Sequence, residues 1–134
     1  MKKSIIIGSI LAGTAVMLGA LNAHAFKVFF DSETTSSFDT GVRYQMYHAL
    51  VILILAALTG KMDQKKLSTA RWLFLVGTFL FSGSIYLLCA FKSNGIIGLT
   101  GLGILTPIGG LVLMIAWSYI LVSAIRIKKA SHNV

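Results

Sequence analysis

Four long apolar segments, residues 5–26, 42–59, 72–91 and 104–125, dominate the chain. Each approaches the ~20 residues needed to cross ~30 Å of hydrocarbon. Inside lipid no water is available to backbone N–H and C=O groups, so each segment is expected to close its own hydrogen bonds as a helix. The sequence therefore predicts an all-α integral membrane protein: one domain over residues 1–134, with four antiparallel transmembrane helices. A composition of 56% hydrophobic and 12% charged residues lies outside the range of ordinary soluble domains and agrees with this.

The formal charge of +8 does not point to nucleic acid. The basic residues stand in short clusters between apolar runs, not in a stripe interleaved with aromatics. Lys2 and Lys3, then Lys61, Lys65, Lys66 and Arg71, then Arg126, Lys128 and Lys129 fall on one side, against Lys27, Arg43 and Lys92 on the other. By the positive-inside rule both termini are cytoplasmic, in a multi-pass protein of the bacterial inner membrane. Anionic lipid headgroups at the inner face are sufficient partners for the inner lysines. A homo-oligomer or a membrane-protein partner is compatible with the same pattern. Cys89 is the single cysteine, so neither an intramolecular disulfide nor a CxxC site can form, and no cofactor or metal motif is present.

The first segment has two readings. Lys2-Lys3, an apolar stretch and Ala23-His24-Ala25 imitate a cleavable secretory signal, whereas the run from Ile5 to Leu21 exceeds the ~7–15 residues of a usual signal core. Gly8, Ala12, Ala15 and Gly19 recur at three- and four-residue steps and offer a smooth face for another helix.

Residues 27–41, rich in Ser, Thr and Asp, read as an outer loop, with Asp39 or Thr40 capping the second helix and Asp39 pairing with Arg43 at i,i+4. The second span then opens with Arg43, Tyr44, Gln45, Tyr47 and His48. Arg43 can be an interfacial anchor and the tyrosines members of an aromatic belt. His48 lies deeper, where an imidazole needs a partner, either another helix or a ligand. Ser68 is the expected cap of the third helix, and Arg71 with Trp72 marks its inner interface. Ser82, Ser84 and Tyr86 fall in the outer half of that helix. Residues 93–103 read as a glycine-rich link or re-entrant turn, and Thr106-Pro107 as the cap and first turn of the last helix.

On this arrangement His24, Arg43, Tyr44, Gln45, Tyr47, His48, Ser82, Ser84, Tyr86 and Thr106 gather in the outer half, and the inner half is nearly devoid of polar groups. Two histidines fall short of a zinc site. The cluster is expected to pack helices together or to bind a small polar ligand or lipid headgroup. A transporter or channel subunit acting as an oligomer is the alternative. An enzyme would have only His48 with Ser82 or Ser84, without an orienting carboxylate.

Four stretches, Leu18-Gly-Ala-Leu-Asn-Ala-His-Ala25, Tyr44-Gln-Met-Tyr-His-Ala-Leu50, Phe81-Ser-Gly-Ser-Ile-Tyr86 and Leu105-Thr-Pro-Ile-Gly-Gly110, resemble the domain-of-unknown-function 423 family of small membrane proteins, which has transmembrane protein 256-like relatives. The resemblance runs nearly the whole length of the chain in the right order. Asn22-Ala23-His24 matches a Gly-Ala-His-like motif, with Asn22 departing from the usual glycine. The resemblance implies that the first segment is retained in the fold, and it carries no activity with it.

Overall fold

A computed structural model describes residues 1–96 and 100–126. Its described residues form long helices: α1 (Lys2–His24), α2 (Ser32–Ala57), α3 (Gln64–Ser93) and α4 (Thr100–Ile125), with a short 3-10 turn at Phe26–Val28. α1, α3 and Gly101–Ile125 of α4 are each long and apolar enough to cross a membrane. α2 is less apolar, because Arg43, Tyr44, Gln45, Tyr47 and His48 occupy the middle of it. Lys128, Lys129 and the tail His132 lie outside the described residues, as does the middle of the 93–103 connection.

Three helix starts differ from expectation. α2 begins at Ser32, so most of the expected outer loop is helical. Its cap is Asp31, not Asp39 or Thr40, and the Asp31 carboxylate accepts from the Thr34 backbone N–H at 2.7 Å. Thr34, Phe38, Gly41 and Val42 form a buried stripe continuous with Gln45 and His48, so helical periodicity outweighs loop-like composition here. α3 begins at Gln64, capped by Asp63, which accepts from the N–H groups of Lys65 and Lys66 at 2.8 and 3.2 Å, in place of Ser68. α4 begins at Thr100, which puts Pro107 in the helix interior instead of the first turn. Proline has no N–H, so the Gly103 carbonyl four residues back loses its intrahelical donor.

The core has two centres. Taking the sides expected from the lysine and arginine clusters, Ile52, Leu55, Leu67, Ala70, Phe74, Leu113 and Ala116 form the inner one, and Ala15, Phe38, Val42 and Cys89 the outer one. Phe26, Phe30, Phe38 and Tyr86 close the outer end, with neighbouring ring centroids 4.7–5.7 Å apart. Helix pairs approach through small residues, as expected where lipid supplies no hydrophobic drive between helices. α1 meets α2 at Gly8, where an added Cβ would stand 2.7 Å from Leu53 Cγ.

The closest approach is between α4 and a π turn in α3, Phe79–Gly83. A Cβ on Gly109 would collide with the Phe81 amide nitrogen and lie 2.7 Å from the Leu80 carbonyl carbon. Backbone packs on backbone there, and no rotamer change can relieve the overlap. Gly109→Ala is expected to destabilise the protein by about 1–3 kcal/mol, the usual cost of overpacking. Gly110→Ala, with Phe81 ring carbons 3.7 Å away, is expected to fall within ~0.5 kcal/mol of wild type. Melting in gentle detergent tests both, and equal melting temperatures would contradict this packing.

Candidate functional site

Gln45 is the junction of three helices. It projects from the buried stripe of α2, 5% exposed, and all of its principal hydrogen-bonding groups are used. Nε2 donates to the Leu11 carbonyl and to Thr14 Oγ1, each at 2.8 Å, while Oε1 accepts from Tyr86 OH at 2.9 Å. Leu11 and Thr14 lie one turn apart on α1, and Tyr86 follows the π turn of α3. Gly41, one turn before Gln45, leaves room for the tyrosine, since a Cβ there would stand 2.8 Å from Tyr86 Cε1. A second tie lies nearer the outer end, where Asn22 Nδ2 donates to the Thr35 carbonyl at 3.1 Å; Asn22 Oδ1 is buried without a partner.

The remaining residues predicted for the cluster separate into different environments. His24 is exposed at the end of α1, and its neighbour Asn22 is the residue that faces α2. Arg43 is exposed and pairs with Asp39 at 3.2 Å, the expected i,i+4 contact. Tyr47 is exposed, and the partly exposed Tyr44 sets its ring 4.6 Å from Phe81. His48 is buried, but its Nδ1 lies 2.7 Å from the Tyr44 carbonyl of its own helix. Its ring stacks on Phe74 at 5.7 Å and meets Trp117 edge-on at 6.4 Å, so it belongs to the inner core. Ser84 Oγ lies 2.7 Å from Thr106 Oγ1 and joins α3 to α4. Ser82, 1% exposed, has no partner for its hydroxyl. Neither serine is hydrogen-bonded to His48 among the described residues, and no group of three His, Cys, Asp or Glu is placed there to hold a metal.

A cavity of about 450 Å³ opens on the outer half between α2, α3 and α4. Phe81, Ile85 and Leu88 supply its apolar wall, Thr34, Ser37, Thr40 and Thr106 its hydroxyls, and Glu33 and Lys92 stand at its mouth. Lys92 Nζ pairs with Glu33 at 2.7 Å and with Asp31 at 3.4 Å. Hydrogen bonding from Thr34 first, and Lys92 second, holds the Asp31 carboxyl below its ordinary value of 3.8. A depressed carboxylate pKa favours the folded state at neutral pH, and that contribution is lost as pH falls below 3.8 through the folded value.

The inner half contradicts the expectation of a nearly apolar interior. Ser4 and Ser123 are buried there, and so is Arg71, 9% exposed. Arg71 is not a lipid-exposed anchor: it shares the buried face of α3 with Leu67, Ala70 and Phe74. Extending the helical period of that segment back past Trp72 would have placed it there, whereas its partner Ser4, on another helix, left no sequence signal.

Interhelical hydrogen bonds in membranes contribute about 0.6 kcal/mol on average and about 1.7 at most. A double-mutant cycle of Gln45→Leu with Tyr86→Phe is expected to give a coupling energy of that size, read from melting in detergent. The same cycle with the exposed Tyr47→Phe should give none, and equal coupling in both would remove Gln45 from its place as the junction.

The family model described as "Protein of unknown function (DUF423)" matches residues 18–110. The chain is 39% identical to the UPF0382 membrane protein YwdK of Bacillus subtilis, over 94% of this chain and 98% of that one. It is 39% identical to a UPF0382 membrane protein of Haemophilus influenzae over 76% and 77% of the two chains, and 33% identical to the UPF0382 inner membrane protein YgdD of Escherichia coli over 88% and 87%. No solved structure matches the chain. Over a match of this extent, with helices apolar enough to span a bilayer, the chain is a small integral membrane protein and belongs to the DUF423 family.

Proposed function

We propose that this protein is a four-span protein of the inner membrane, with antiparallel helices and both termini in the cytoplasm, whose outer half binds a small amphiphile. Contact register supports the antiparallel course: along α1 and α2, Gly8 meets Leu53, Leu11 meets Gln45 and Asn22 meets Thr35, one number rising as the other falls. α2 is the least apolar of the four, but Gln45 and His48 are buried, so lipid does not meet their polar groups. At 1.5 Å per residue the Asp39–Arg43 pair sits roughly 21–27 Å from the inner end of α2, at the level of the outer interface. The lysine and arginine clusters supply the direction.

The observation that carries ligand binding is the outer cavity. Its walls combine an apolar side with hydroxyls, and its mouth is charged, the arrangement that suits a polar head joined to an alkyl chain. Lys92 at that mouth is shared between Glu33 and the neighbouring Asp31, three charges that sum to −1 and favour a zwitterionic or cationic headgroup over an anion. The Gln45 junction holds the helices that frame it and is not itself the binding group.

Native mass spectrometry from gentle detergent, with lysophosphatidylethanolamine as the added probe, tests this function. The full-length chain should retain one probe molecule. Ile85→Trp, which fills the apolar wall, should reduce retention at least tenfold, and Tyr47→Ala should not. A probe that is not retained, or is retained equally by Ile85→Trp, would contradict ligand binding there and leave helix packing as the role of the outer polar residues. A reporter fused at the C-terminus should be active only in the cytoplasm, and periplasmic activity would contradict the four-span course.

A further inference from the structure

Arg71 is a buried cation with no anion beside it among the described residues. Its Nη1 donates to Ser4 Oγ on α1 at 3.3 Å and its Nη2 to Ser68 Oγ on α3 at 3.0 Å, while Nε has no partner. The chain has four carboxylate side chains, and each is engaged elsewhere: Asp31 and Glu33 with Lys92, Asp39 with Arg43, and Asp63 at the cap of α3. Both serines act as acceptors toward the guanidinium, so their own protons remain to be donated. Nε–H and two hydroxyl protons of one cluster thus have no acidic group of the described residues to receive them. Such a set fits a phosphate, whose oxygens take several donors at once and for which a guanidinium is the preferred cation.

A groove starts one turn from this point. Arg71, Leu75 and Phe79 lie on one stripe of α3, and Ser4, Ile7 and Leu11 on the facing stripe of α1. Beyond the Arg71–Ser4 bridge these stripes part around a cavity of about 350 Å³, walled by Ile7, Ile10, Leu18, Leu75 and Phe79 and reaching Gln45. Its lining is almost wholly apolar, and Leu75 in its wall stands one helical turn, ~5.4 Å along the axis, from Arg71. Cation first and apolar channel next is the order of a phospholipid entering from the inner leaflet. We propose that the inner end of the α1–α3 groove binds an anionic phospholipid, its phosphate on Arg71, Ser4 and Ser68 and one acyl chain along the groove. The site is separate from the outer cavity and opposite to it in charge preference, and the inner lysines add a general attraction for the same lipid class.

The test uses the full-length chain, delipidated in gentle detergent, with phosphatidylglycerol, phosphatidylcholine of the same acyl chains, and inorganic phosphate as separate probes. Phosphatidylglycerol should raise the melting temperature and remain as a one-to-one adduct in native mass spectra; the other two should do neither. Arg71→Gln should weaken phosphatidylglycerol binding at least tenfold. Leu75→Trp, which blocks the groove and leaves the guanidinium in place, should do the same and carries the test if Arg71→Gln does not fold. Lys2→Gln with Lys3→Gln should leave the adduct in place. Equal effects of the two phospholipids, an adduct that survives Leu75→Trp, or an equal shift with inorganic phosphate would each overturn the assignment.

Discussion

A polar group inside a bilayer must find its partner in the protein, and in this chain that constraint falls on Gln45. Its amide takes a carbonyl and a hydroxyl from α1 and a phenol from α3, so a side chain that would be costly in lipid becomes the point where three helices fix their register. A one-residue slip of α1 would turn Leu11 and Thr14 away and leave the amide unpaired. The same demand is met locally elsewhere. His48 uses the carbonyl of its own preceding turn, Thr78 that of Phe74, and Ser84 that of Phe81 beside its tie to α4. Ser82 Oγ, Asn22 Oδ1 and Arg71 Nε are the exceptions among the described residues, the first two in the outer half.

The π turn of α3 follows from a second constraint, close packing without a hydrophobic drive. Gly109 lets the α4 backbone rest on Leu80 and Phe81, and the wide turn Phe79–Gly83 lies at that contact. Pi turns are frequent at functional sites. This one is followed directly by Ser84 and Tyr86, which bond to Thr106 and Gln45, and its Phe81 lies in the wall of the outer cavity. Helix packing and the cavity are thus built from the same few residues.

The membrane class, the helical content and the family were legible in the sequence, because long apolar runs and four ordered motifs are strong signals. Helix boundaries were less so: Asp31 and Asp63 cap helices that begin well before their apolar cores, and the Ser/Thr-rich first turns of α2 resemble a linker in composition. Within the cluster, Gln45, Tyr86, Ser84 and Thr106 do meet partners on other helices, whereas His24, Arg43 and Tyr47 face outward. Residues 43–48 span more than a turn, so helical spacing alone could not decide which arc faces protein. Thr14 and Ser4 went unnoticed, and Asn22 stood out only as a departure from a motif, because a lone small polar residue on an apolar helix carries no signal until its partner on another helix is known.

The Gln45 junction requires α1 to stay in the bundle against α2. Disulfide trapping in native membranes measures this most directly, with cysteines at Gly19 and Val42 in a Cys89→Ala background, since a Cβ at Gly19 lies 3.4 Å from Val42 Cγ1. An intramolecular disulfide is expected to form rapidly in a chain of full-length mass, with the yield reduced when Gln45→Leu is added. A full-length chain that does not cross-link, or a mass lacking the first helix, would contradict that junction.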